Sequence, residues 1–396
     1  MSKKSGSVIG GMLLIAGSCI GAGMLGLPII TGLSGFFPSL GMFLLAWVFM
    51  TATGLLLVEA NSWFSSRVNL LSMAEKTLGR WGQRVCWVTY LFLFYALLLA
   101  YLSQSSSIFS SFAERSLSMA IPSWVGSSIF VFVFGGIIYM GTRSVDHVNR
   151  VLMVGKVGCF LLLIVAAAHF VQPELLLRSA PEYALGSLPL LVIAFGFHNM
   201  IPSLTSYLGG NLKRVRWTIV GGSLLAFAIY LIWEILVLGI VPFEGANGIL
   251  DSLRNDREAA QAIGAIVGSP SIRLFSQGLA FFAILTSFLA QGLSLVHFLA
   301  DGLKKQEGIG LCALALLPPF CFSLLYPQLF FAALNFAGGI CAVILFGMMP
   351  VAMIWIGRYR QKLSSGYSLR GGKTTLVAIF LVACLIFALQ LKSMLS

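Results

Sequence analysis

Charge is what this sequence has least of. Asp and Glu number 13 and Lys and Arg 25 in 396 residues, so only 10% of the chain is charged, where soluble domains carry roughly a quarter. With 58% hydrophobic residues and a mean hydropathy of +0.95, a soluble domain is excluded. Histidine is scarcer still: there are four, and none stands at ligand spacing from another within an apolar run, so a metal site is not expected. HExxH, GxSxG, paired aspartates and a GxxxxGK[ST] loop are all missing, which argues against an intramembrane enzyme and against a pump driven by ATP. Cysteine amounts to seven residues, 19, 86, 159, 312, 321, 341 and 384, all inside or at the edge of apolar runs. They cannot form the loop-stapling framework of a disulfide scaffold and read as small packing residues. Nor do the apolar runs alternate in character, as strands of about ten residues in a membrane barrel would.

What the chain does have is long apolar runs. A helix needs roughly 20 apolar residues to cross the hydrocarbon, and eleven such runs can be drawn: 7–30, 38–60, 85–109, 124–141, 151–171, 186–208, 218–241, 271–299, 309–325, 328–356 and 374–391. The fold class expected is therefore all-α and polytopic, with 11 transmembrane helices; the boundary between the ninth and tenth is the least defined. The first run is too long for a secretory leader, is followed by no small-x-small cleavage pattern, and leads into ten more, so no leader is expected.

The formal charge of +12 invites a nucleic-acid reading, but position argues against it. With the N-terminus inside, Lys3, Lys4, Arg67 and the groups Lys76, Arg80, Arg84, then Lys213, Arg214, Arg216, then Arg358, Arg360, Lys362 all fall on the inner side. Few basic residues, Arg115 and Arg178 among them, fall on the outer side. The positive-inside rule accounts for this bias without a polyanionic partner. An odd number of crossings then places the C-terminus outside.

Two runs are interrupted. The first contains GSCIGAGMLGLP at 17–28, and the sixth contains AFGFHNMIPS at 194–203. Five runs lie in 7–171 and five in 186–356, each block opening on its interrupted run. Because five is odd, a second copy enters from the opposite face, so the halves are inverted in topology and 374–391 is an accessory helix. Corresponding Gly/Pro-interrupted spans in two inverted halves point to a transporter's binding site at the bilayer midplane. Unwinding bares N–H and C=O groups that hydrocarbon cannot satisfy, so it survives only where protein, ligand or cavity water pairs them. Glycine leaves helical geometry cheaply, and the half-helix after a break offers free N–H groups to an anion such as an amino acid's carboxylate. Simpler uses compete: Gly17 and Gly21 form a small-xxx-small packing pattern, and Pro28 can kink a helix. Gly21, Gly23 and Gly26 also match GxGxxG, which means little without a preceding strand.

GSCIGAGMLGLP at 17–28, FGFHNMIPSL at 195–204 and the VEANSWF end of the second run resemble the hydroxy and aromatic amino-acid permease family, the tyrosine- and tryptophan-specific bacterial permeases. The resemblance covers essentially the whole chain. It implies a LeuT-type five-plus-five inverted repeat of the amino-acid/polyamine/cation superfamily, with 1–171 and 186–356 as the repeats. It further implies import of an aromatic amino acid by proton symport across the bacterial inner membrane, with no cofactor beyond the co-transported proton. Carried over to these positions, Ser18, Cys19, Ile20, Gly21, Ala22 and Gly23 would hold the substrate carboxylate. Phe195, Gly196, Phe197, His198 and Asn199 would face its ammonium and side chain. In the third run Tyr95, Tyr101, Ser103 and Gln104 are available to line the same cavity, and Phe195 and Phe197 could flank an aromatic ring.

Coupling needs a group that changes charge, and ionisable residues inside spans are functional candidates because burying them is expensive. Lys156 lies five residues into the fifth run. Either it loads and releases a proton, or its ammonium snorkels to the inner interface. The resemblance adds a third use, a fixed replacement for a bound sodium ion. Thr286 and Ser287 look like part of the sodium site of sodium-coupled relatives, so sodium symport is the alternative, and an approach of Lys156 to these hydroxyls would exclude sodium. Ser287, Gln291 and Ser294 at i, i+4 and i+7 predict a polar stripe facing the interior. Glu59 is open to proton relay or to ion pairing, Glu234 is expected to pair with a neighbouring span, and His198 to be a neutral imidazole closing its loop. His169 and His297 are expected near interfaces. A channel needs a polar ring or carbonyl filter, which two inverted glycine breaks do not make. One charge moved through 100 mV supplies roughly 2.3 kcal/mol, enough for about fiftyfold accumulation per proton. The partners expected are a small amino acid and lipid, with no nucleic acid.

Overall fold

The computed structural model describes residues 6–64, 68–117, 122–364 and 366–395, and every regular element among them is helical. Lys3, Lys4 and Arg67, assigned above to the inner side, lie outside the described residues. In chain order the α-helices are α1 Val8–Cys19, α2 Gly23–Thr31, α3 Phe36–Ser62, α4 Leu70–Leu117, α5 Ser123–Tyr139, α6 Thr142–Ala167, α7 Pro173–Leu176, α8 Leu188–Ala194 and α9 Ile201–Tyr207. They continue with α10 Leu212–Leu238, α11 Ile249–Arg254, α12 Ala259–Val267, α13 Pro270–Leu303, α14 Ile309–Leu325, α15 Phe330–Phe336, α16 Met349–Tyr359 and α17 Gly372–Leu395. A π-helical stretch, Ala337–Met348, joins α15 to α16.

Among the described residues, eight helices are long and apolar enough to cross a bilayer, and α1 with α2 make a ninth when taken as one span bent by 62°. The eleven expected runs exceed this because α5 and α14 have only 17 residues each. At about 1.5 Å rise per residue each falls short of the roughly 30 Å hydrocarbon thickness. α4 is longer than its apolar run because Gly79, at φ +76°, joins an amphipathic surface helix to the spanning part without a gap. Only glycine takes that left-handed conformation without strain.

Burial orders the bundle. α6 lies along α13 and α1 along α10, while α8 sits between α3 and the π-helical stretch. α6 leaves Val154 and Val165 about three-quarters exposed, as apolar residues facing lipid are. In α8, by contrast, Leu188, Leu190, Leu191 and Val192 are wholly buried. The sixth run is therefore central. It is also interrupted: α8 ends at Ala194, Phe195–Phe197 leave helical geometry, and a 3-10 turn at His198–Met200 leads into α9. No disulfide links the cysteines, and Cys19, Cys86, Cys312 and Cys341 are buried as packing residues.

Candidate functional site

The first break spans Ile20–Ala22, and its backbone is paired almost group by group. Cys19 and Ile20 carbonyls have lost their helical partners; Tyr230 donates its hydroxyl to the former at 2.6 Å, and Lys156 its ammonium to the latter at 2.8 Å. The Ala22 N–H donates to Ser287 Oγ at 3.0 Å. A Cβ on Gly21 would come within 2.9 Å of Ser287 Oγ and would displace the hydroxyl that holds Ala22. One turn further on, Trp233 Nε1 donates to the Met24 carbonyl at 2.9 Å. The Gly23 N–H, at the head of α2, makes no hydrogen bond among the described residues, and a Cβ on Gly23 would meet no atom within 4 Å. A free donor, a positive helix end and open space thus coincide.

The second break is joined to the first. The Tyr230 hydroxyl, already on Cys19, also reaches the Ala194 carbonyl at 2.8 Å, so one buried hydroxyl serves the last turns of α1 and α8 together. Phe195 packs edge-on against that same tyrosine at 5.2 Å. Phe197 lies against α3, where a Cβ on Gly54 would come within 2.8 Å of its ring. His198 is stacked between Phe197 and Phe346, with centroids 4.9 and 4.8 Å away, and its Nε2 shares a hydrogen bond of 2.9 Å with Thr53 Oγ1. Tyr90 donates to Asn199 Oδ1.

The structure thus brings Cys19, Ile20, Gly21, Ala22, Gly23, Lys156 and Ser287 together at one break, and Phe195, Gly196, Phe197, His198 and Asn199 at the other. Several predicted residues stand elsewhere. Tyr95 donates to the Leu314 carbonyl on α14 at 2.8 Å and approaches neither break. Tyr90 and Tyr101, about three turns apart, share a face of α4, whereas Tyr95 lies roughly 140° round from Tyr90. Ser18 is exposed and its hydroxyl bonds back to the Ile15 carbonyl. The rings of Phe195 and Phe197 are wholly buried against α10 and α3 instead of flanking an open slot.

Thr286 bonds back to Ala283, and Lys156 makes no hydrogen bond to either Thr286 or Ser287 among the described residues. Lys156 and Ser287 meet only through the break between them. Ser294 is exposed, against the expected interior stripe. Its hydroxyl is satisfied by the Ala290 carbonyl at 2.7 Å, which lets it face outward without an orphaned polar group. Ser103 and Gln104, in the second half of α4, bind Asp256 and Pro327.

Glu59, open to two roles from sequence, is held by Arg358 at 2.6 and 2.5 Å and by the Leu369 N–H at 2.9 Å, with no hydrogen bond to either break. Glu234 lies beside α2: Thr31 Oγ1 is 2.8 Å from Glu234 Oε2 and equally 2.8 Å from the Leu27 carbonyl. His169 is exposed at the end of α6, and His297 lies 3.5 Å from Glu307.

Sequence reasoning missed Tyr230 and Trp233, yet a signal exists. Tyr230, Trp233 and Glu234 stand at i, i+3 and i+4 in an apolar helix, so three polar tips share one face. A buried Tyr or Trp in such a place ordinarily seeks a backbone partner.

These features define a multi-pass helical membrane protein whose two interrupted helices are fastened by side chains aimed at their backbone. The tryptophan/tyrosine permease family matches residues 4–390, and the chain belongs to that family. It is 32% identical over 392 residues to the tyrosine-specific transport system 1 of Haemophilus influenzae, covering 96% of this chain and 95% of that protein. It is 30% identical over 392 residues to the tryptophan-specific transport protein of Shigella flexneri, covering 96% and 94%. A tryptophan-specific transport protein of Pseudomonas aeruginosa is 31% identical over 342 residues, 84% of this chain and 82% of its own length. The family and these relatives are permeases and transport proteins, not enzymes.

Proposed function

We propose that this chain imports an aromatic amino acid, tyrosine or tryptophan, by proton symport through alternating access across the bacterial cytoplasmic membrane. In this reading eleven transmembrane helices form a LeuT-type five-plus-five inverted repeat, 1–171 and 186–356, with 374–391 as an accessory eleventh. The N-terminus is cytoplasmic and the C-terminus periplasmic. The observation that carries the proposal is the pairing of two interrupted helices, one of which offers an unpaired Gly23 N–H beside open space. The substrate carboxylate binds at the head of α2, and its ammonium and ring lie toward Phe195–Asn199, whose buried rings move apart as the site opens. Lys156 holds the Ile20 carbonyl with a fixed positive charge where a sodium ion would otherwise sit. The names of the relatives support the substrate class.

The test is counterflow in proteoliposomes preloaded with unlabelled amino acid. Labelled tyrosine or tryptophan is expected to enter saturably, without sodium, and faster under an inward proton gradient. Entry of serine alone would refute the substrate class, and strict dependence on sodium would refute the coupling.

A further inference from the structure

Glu234 is a buried acid that the site described above does not use. Its side chain is 1% exposed, sits on the face of α10 that also carries Tyr230 and Trp233, and has no cation within ion-pair distance among the described residues. Oε1 has no hydrogen-bond partner among the described residues. Oε2 meets only Thr31 Oγ1, the last residue of α2, which is as close to the Leu27 carbonyl.

A hydroxyl has one hydrogen, and the Leu27 carbonyl can only accept. Thr31 therefore either shares that hydrogen between an ionised Oε2 and the Leu27 carbonyl, or gives it to Leu27 while a protonated Oε2–H donates to Thr31 Oγ1, the arrangement that leaves no buried charge. The ionised alternative would leave a buried charge with a fraction of one hydrogen bond and an orphaned oxygen, an arrangement proteins avoid. Tyr230 differs, since both of its partners are carbonyls and a shared hydrogen is the sole solution there.

Among the described residues the surroundings offer no counter-charge. Arg178 donates to the carbonyls of Gly32 and Leu33, the residues that follow α2, and lies on the Phe243 ring. Of the titratable groups on the other elements packed against α10, Glu59 is bound to Arg358, and Glu258 at the head of α12 accepts from the Ala260 and Gln261 N–H groups. Cys19 of α1, Glu174 of α7 and Tyr207 of α9 make no hydrogen bond to it.

We propose that Glu234 is the proton-binding residue of the transport cycle, read out through α2, whose head binds the substrate carboxylate and whose tail holds the acid. This rests on the proton-symport reading. The nine-residue α2 runs unbroken from the break to the residue that holds the acid, so tilting it to open the site parts Thr31 from Glu234. Wetted, the acid releases its proton to water and becomes a carboxylate; it takes a proton back from water on the opposite side before α2 can reseat.

The test compares wild type, Glu234→Gln and Thr31→Val in proteoliposomes, measuring accumulation under an imposed pH step against exchange of internal for external tyrosine or tryptophan. One pH unit supports about tenfold accumulation per proton. Glu234→Gln is expected to lose that gain while its exchange falls much less, and Thr31→Val to shift the pH midpoint of uptake. Proton-driven accumulation surviving in Glu234→Gln overturns the proposal. If that variant does not fold, an unshifted midpoint in Thr31→Val overturns it. Wild type that exchanges aromatic amino acids but ignores pH overturns it too, whereas wild type that exchanges none defeats the functional reading itself.

Discussion

At the scale of the residue, the site is a set of replacements for lost helical hydrogen bonds. Interrupting a span frees carbonyls that lipid cannot solvate, and here Tyr230, Lys156, Ser287 and Trp233 each take one backbone group. Tyr230 does so twice, which makes it a side-chain tie between the two breaks. Tyr230→Phe keeps the ring against Phe195 and removes only the hydroxyl, leaving the Ala194 carbonyl short of a donor and the Cys19 carbonyl with the Gly21 N–H alone. An unsatisfied buried acceptor costs about 1–3 kcal/mol, so thermal unfolding in detergent is expected at a lower temperature. Because the breaks lose their common anchor, substrate KM is expected to rise more than the maximal rate falls. The Glu59 and Arg358 pair is a different kind of contact. It joins α3 to α16 and the Leu369 backbone, and its satisfied geometry marks it as a fastening between helices.

At the scale of the element, close approach matters more than polarity. The π-helical stretch packs against α8 so tightly that a Cβ on Gly338 would fall 1.8 Å from the Pro189 carbonyl oxygen. That carbonyl is backbone and cannot turn aside, so Gly338→Ala forces the two elements apart. Overpacking of this kind costs typically about 1–3 kcal/mol. Since α8 ends at the second break, Gly338→Ala is expected to abolish most transport even where the protein still reaches the membrane. Gly136→Ala on α5, where a Cβ would meet nothing within 4 Å, is expected to transport as wild type does. Uptake normalised to membrane-inserted protein separates the two.

At the scale of the whole molecule, stability carries a pH signature from outside the spans. Glu258 caps α12 with both oxygens on N–H groups, yet burial outweighs those bonds and pushes its carboxyl from 4.5 up to about 8. A carboxyl held above its ordinary value favours the fold while protonated. That contribution is complete below about pH 4.5 and is lost as pH rises through about 8. The unfolding midpoint is therefore expected to fall across this window in wild type and to change less in Glu258→Gln. A scanning melt at several pH values in detergent reads both. The same helix is docked on α13, so its loosening would be felt along the bundle.

The class of protein, the position of both breaks and the family were all readable from residues alone. Apolar runs and glycine clusters are local patterns, and a bilayer punishes every departure from them. GSCIGAGMLGLP and AFGFHNMIPS each mark a place where the chain gives up its helix, and α1–α2 and α8–α9 part there. What touches those places was not readable. Tyr95 looked as suitable as Tyr101 until the helix face was known, Ser294 looked buried until its hydroxyl was seen on Ala290, and Tyr230 drew no notice among apolar neighbours. Partners more than 200 residues apart, such as Tyr230 and Cys19, are chosen by how helices lie side by side. The linear chain determines that backbone groups must be bared within two of its apolar spans. Only the packed bundle decides which side chain meets each one, because rotation and register of a helix are set by its neighbours and not by its own sequence.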